Sequence, residues 1–185
     1  MLQQNAPATN FVIVALKGEE GRLQVTSAQG DRIGHFGDAF VNEVPGALSI
    51  RPRSALYNDG EPILFLPVDQ EFTVQVLPRD GVQVGSTSLR VIGPDMAVAL
   101  DNLALTPGAA DQLRVSPVDR QIGYQPGGNQ SAPTLQFAYT QNGTSYLAVL
   151  STTELLANQE LTLGVTPAHG ELTIASSGGS DQTVT

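Results

Sequence analysis

The feature that most limits how this chain can fold is an internal match. Residues 98–124 and 148–174 align without a gap at an offset of 50. Leu100 meets Leu150, Leu105 meets Leu155, Leu113 meets Leu163, and Val115 meets Val165. Ser116 matches Thr166, Pro117 matches Pro167, and Ile122 matches Leu172. The shared positions are the apolar residues of two strands and the proline between them. That pattern recurs when β units are stacked or paired. No reactive side chain recurs with it, so the repeat speaks to architecture and is silent on ligand chemistry.

Strand signals continue outside the repeat. Residues 11–16 (FVIVAL) form an unbroken apolar run, which predicts a strand buried on both faces. Residues 22–26 (RLQVT) alternate, a turn follows at Gln29-Gly30-Asp31, and residues 32–36 complete a predicted hairpin. Residues 63–66 and 72–77 (FTVQVL) are further strands. Pro78, Arg79-Asp80-Gly81 and Gly85 mark a boundary. Beyond it, strands are expected at 88–92, 96–100, 112–116, 121–124, 134–139, 146–150, 160–166 and 171–175. Asn142-Gly143 is a tight hairpin signal. Residues 151–158 (STTELLAN) and their counterpart 101–108 predict a matched one-turn helix or loop.

Short strands separated by Gly/Pro turns predict an all-β fold. The expected architecture is two β-sandwich units, Ig-like or jelly-roll-like, over residues 1–85 and 86–176. The second is built from the duplication, and a Ser/Gly-rich tail covers 177–185. One continuous sandwich or jelly roll over the whole chain is the alternative.

Charge removes several function classes. The chain holds 18 Asp and Glu against 9 Lys and Arg, a net charge of −9. Such a surface repels phosphate, so no nucleic-acid partner is expected, and anionic membranes are disfavoured. The six-residue run at 11–16 is far too short to span a bilayer, so no membrane insertion is expected. There is no cysteine, which excludes disulfides, thiolate nucleophiles and Cys-ligated zinc. The first ten residues lack the basic and apolar regions of a signal peptide. The chain is expected either to be made without one or to be cut from a longer precursor.

No constellation of reactive residues stands out. His35, Asp38 and Glu43 form a loose acid/His cluster that reads as a solvated loop. His169 falls at a turn tip, where Asp119 stands in the other copy. Asn58-Asp59-Gly60 is explained by turn chemistry, and with Glu61 it offers too few oxygens for a cation loop. No Gly-x-Ser-x-Gly, P-loop or dinucleotide fingerprint occurs. Tyr57, Tyr124, Tyr139 and Tyr146 are scattered and Trp is absent, so a sugar-stacking platform is not indicated. Asn129-Gln130-Ser131 and Asn142-Gly143-Thr144 match the glycosylation sequon but are turn sequences in any case. No catalytic, cofactor-binding or metal-binding residue is assigned.

The ordered set GRLQVT (21–26), QGDRIG (29–34), VNEVPGA (41–47) and FTVQV (72–76) resembles accessory β-sandwich modules of bacterial secreted and surface proteins. In those, an L-x-V-T strand leads to a G-x-R-x-G turn, an N-E-I-P-G-A segment and a Y-T-V-x-V strand. Here Asp31-Arg32 replaces a usual arginine pair. The resemblance covers about the first 80 residues and implies a non-catalytic module without a transferable binding site. The expected role is a spacer, adhesion or assembly module, extracellular or on the cell surface, acting through protein partners or self-association. A self-assembling virion coat or decoration protein, and a carbohydrate-binding domain, are the alternatives.

Overall fold

The structure, a computed structural model, describes residues 10–51, 60–151, 154–157, 159–166 and 171–177. Among these the chain is all β, with no helix. One sheet has seven strands in the order β14 (Thr144–Ser151), β13 (Thr134–Gln141), β9 (Met96–Leu105), β8 (Gly85–Ile92), β1 (Phe11–Lys17), β6 (Ile63–Pro67) and β5 (Leu48–Ile50). The other has eight: β17 (Glu171–Ser177), β16 (Glu160–Thr166), β11 (Gln121–Gln125), β10 (Asp111–Ser116), β7 (Phe72–Pro78), β2 (Gly21–Ser27), β3 (Arg32–Phe36) and β4 (Ala39–Asn42). A small ladder joins β12 (Gln130–Ser131) to β15 (Glu154–Leu155).

Alternation builds the core. β2 buries Leu23 and Val25, and β7 buries Phe72, Val74 and Val76. The repeat positions Leu100, Leu105, Leu113, Val115, Leu150, Leu155, Leu163 and Val165 are all buried. These residues belong to one hydrophobic cluster that runs from Val12 to Val165. Both sheets pass through the boundary expected at 78–85, because β1 pairs with β8 and β7 pairs with β10. The layers are therefore continuous across it, in the manner of the single-sandwich arrangement. After that point the chain adds a hairpin to one sheet (β8–β9), then to the other (β10–β11), and does so again with β13–β14 and β16–β17.

Two local readings change. The helix or loop expected at 101–108 is instead the second half of β9, which runs on to Leu105. Asn102 takes φ 60° there, a conformation Asn tolerates, at an irregularity in the β8–β9 register, and pairing resumes at Leu103. The matching segment 151–158 lies partly outside the described residues; Glu154 and Leu155 within it are strand. The segment 37–56, irregular in sequence, holds the short strands β4 and β5.

Candidate interaction surface

The two outward faces of the sandwich differ in their central rows. On the eight-stranded sheet, strand register aligns Gln24, Gln75, Gln112 and Gln125 across four neighbouring strands. Beside them runs a row of Arg32, Thr26, Thr73, Arg114, Gly123, Thr162 and Ala175. Gly123 leaves a shallow depression of about 150 Å³, edged by Arg114, Glu160, Glu71 and Gln121. This is a solvated face.

The outer face of the seven-stranded sheet carries one continuous apolar row, flanked by mixed rows that hold Arg90, Gln136, Thr140 and Ser145. Register places Leu48, Phe65, Ile13, Ile92, Ala97, Ala138 and Leu147 in one row that crosses every strand. Leu48 is 53 % exposed, Ile92 48 % and Leu147 64 %. Phe11 stands edge-on to Phe65 at 6.2 Å, and Ile50 and Ile63 extend the patch at one end. The seven strands carry three ionic side chains, Lys17, Arg90 and Asp101. Arg90 is tied to Asp101 at 2.6 Å and to the Leu89 carbonyl at 3.0 Å. An antiparallel sheet with one wet face shows polar residues there; apolar residues on both faces mark a sheet that is covered twice. The run at 11–16, expected to be buried on both faces, is buried on one: Val12 and Val14 lie in the core, while Phe11, Ile13 and Ala15 are half-buried on the outer face.

The residues singled out in the sequence do not converge. Glu43 accepts two hydrogen bonds from Arg32, at 2.8 and 2.9 Å, which holds its carboxyl below the usual range. Asp38 is exposed in the β3–β4 turn. His35 faces Glu61, with Nε2 3.8 Å from Oε2. Tyr57, Asn58, Asp59 and His169 lie outside the described residues. Asp119, the counterpart of His169, accepts a hydrogen bond from the Ser116 hydroxyl at 2.7 Å. Asn142-Gly143 makes the expected tight hairpin turn, both residues at positive φ.

Two buried polar clusters went unseen in the sequence. Glu61, read as part of a turn, points inward and accepts the Leu23 N–H at 2.8 Å. Burial pushes its carboxyl up, against the pull of that bond and of Arg79 at 3.7 Å. His35 is pushed down, first by burial and then by Arg22, Arg51 and Arg79. The second cluster surrounds Asp111, which accepts from Gln130 Nε2, the Tyr124 hydroxyl and the Gly127 N–H at 3.0, 3.2 and 2.9 Å. Gln130 also pairs with the Ala104 backbone in both directions, at 2.6 and 3.0 Å. Burial raises Asp111 to about 6 and Tyr124 well above its ordinary value. The Asp111 cluster is closed upon itself and pins the bend after β11 to β9 and β10, a structural duty.

Among the described residues no group of three His, Cys, Asp or Glu side chains is placed to hold a metal ion. Comparisons with protein-family models, with curated proteins and with solved structures find no match for this chain.

Proposed function

We propose that this chain is a non-catalytic β-sandwich module that works by docking the apolar outer face of its seven-stranded sheet against a protein surface. The observation that carries the reading is the row from Leu48 to Leu147, which is apolar on every strand while the opposite face is lined by Gln and Thr. Covering side chains such as Ile92 and Leu147, about half exposed, stabilises a complex by roughly 1 kcal/mol each. The N-terminal resemblance favours an assembly or adhesion role in an exported bacterial protein. The offset-50 match supports descent of the C-terminal half by duplication. On this reading residues 1–85 and 86–176 are units of descent that fold together.

The test is whether the face is open. Binding of the dye ANS is measured at high dilution for the natural chain and for Ile92→Lys/Leu147→Lys. The natural chain is expected to bind markedly more dye, with unchanged circular dichroism. Equal binding means the face is already covered and overturns the reading.

A further inference from the structure

We infer that a second copy of the chain joins at the end of the sandwich formed by β14 and β17, edge to edge, about a two-fold axis normal to both sheets. This goes beyond the reading of the outer face and uses different atoms, the backbone of the two last strands. Among the described residues no strand pairs with the outer edge of β14 or of β17. The offset-50 match sets β14 over β9 and β17 over β11. Both counterparts are covered, β9 by β13 and β11 by β16. Met96 on β9 is 4 % exposed, whereas Tyr146, 50 positions on, is 46 % exposed. Ile122 and Tyr124 on β11 are buried, while their counterparts Leu172 and Ile174 are only partly so. The core thus runs out to an end that lacks, in each layer, the strand its counterpart has. The Thr140 N–H turns away from β14, to the Asp95 carbonyl at 2.9 Å. Alternation then turns the backbone groups of Tyr146 and Ala148 toward β13 and leaves those of Ser145, Leu147 and Val149 to the open side.

Strand sense selects the partner and the axis. Every junction in both layers is antiparallel. Seven alternating strands begin and end in the same sense, and eight in opposite senses. A copy added head to tail, with its β5 and β4 against β14 and β17, would therefore meet one layer antiparallel and the other parallel. Turning that copy over about the line of growth only exchanges the layers. β14 and β17 run the same way. Gln130 ties the end of β9 at Ala104 to the start of β10 at Asp111; β14 finishes at that end of the sandwich, and β16 starts there. An axis along the strands, which sets β14 on β17, would thus pair both layers parallel. An axis normal to the sheets sets β14 on β14 and β17 on β17, antiparallel in both, with every contact matched by its reciprocal. At the other end β5 and β4 hold three and four residues, the short edges by which proteins discourage such pairing. β14 carries no charge and β17 only Glu171, at its start. Paired antiparallel about the middle of β17, the two copies of Glu171 stand ~20 Å apart. About seven paired residues at ~3.4 Å each, over two layers ~10 Å apart with their outer side chains, give ~500 Å² a side. Doubled, this is near the lower bound for a specific interface, so the dimer is reversible.

Sedimentation equilibrium and cross-linking test the geometry. The natural chain is expected to show a monomer–dimer equilibrium. Leu147→Lys sets two like charges side by side across the axis and should raise the dissociation constant ~10-fold or more. Val149→Pro removes one open-side donor and should do the same; circular dichroism matched to the natural chain shows that each variant is folded. Ile92→Lys, in the apolar row but three strands in from the edge, should leave the constant unchanged. The chain has no cysteine, so introduced ones report the axis cleanly with a short thiol cross-linker. Leu147→Cys should cross-link to itself. Leu48→Cys should not, alone or mixed with Leu147→Cys. Cross-linking of that mixture means head-to-tail growth and overturns the inference. A monomer at every concentration also overturns it, and with strong ANS binding leaves the reading of the outer face standing. A dimer broken by Ile92→Lys and indifferent to Val149→Pro puts the second copy on the face and overturns the edge.

Discussion

Asp111 lies under the glycine-rich bend that follows β11, and every hydrogen bond it accepts favours its charged form, yet burial wins and its value stands near 6. Between 3.8 and about 6 the folded chain therefore holds a proton that the unfolded chain has released. Stability falls as pH rises through that window, by ~2–3 kcal/mol at most. Urea unfolding of the natural chain and of Asp111→Asn across the window checks this. The natural chain should lose stability on going from acid to neutral pH by more than the variant does. At Gly34 the constraint is backbone shape: φ is +122°, and an added Cβ would run into the Leu23 carbonyl across the β2–β3 hairpin. Gly34→Ala should cost about 2–4 kcal/mol in the same assay. Glu61 illustrates what a sequence conceals at this scale. A Gly-Glu pair beside an Asp reads as a turn, and only the arrival of Leu23, 38 positions away, shows why the carboxylate is indoors.

β14 ends its sheet, and its eight residues include no charge, proline or glycine. Natural edges are usually blunted by such residues, because an open row of backbone donors and acceptors invites a further strand. Ser145→Lys, on the exposed part of β14, should slow heat-induced light scattering while changing stability by less than ~0.5 kcal/mol. The strands themselves were legible wherever side chains alternate, as in RLQVT and FTVQV, or where Asn-Gly closes a hairpin. What escaped were cases in which the backbone ladder overrides local composition, such as the polar second half of β9 around Asp101-Asn102. The apolar face escaped for a different reason. Each strand contributes one residue to its central row, so no window of sequence contains the pattern, and register alone assembles it. Only FVIVAL, apolar on both sides, carries part of it within one window.

Over the whole molecule, each sheet joins a block of strands from before residues 78–85 to a block from after them at one seam, β1–β8 in one layer and β7–β10 in the other. A chain ending at residue 80 would lose the neighbour of β1 on β8 and that of β7 on β10. Residues 10–80 and 84–177 produced separately should thus lack cooperative thermal unfolding, and mixing them should restore it in part; two independent melting transitions would contradict a shared core. Pairings as remote as β1 with β8 carry no local signature, so the Pro/Gly-rich connection at 78–85 gives no sign in the sequence that both sheets continue across it. Phe72→Ala, in the middle of the common cluster, should cost about 3–5 kcal/mol in the intact chain.

The alternation of hairpins between the two layers sets no natural width. β14 and β17 stand at the same end of the sandwich, one in each layer, as β9 and β11 would if the chain stopped before residue 126. One more pair of hairpins would find the same kind of ledge to build on, with no change to anything already laid down. A lineage could therefore lengthen or shorten this protein like a ruler cut to size, provided that whichever strands come last are kept from recruiting strangers.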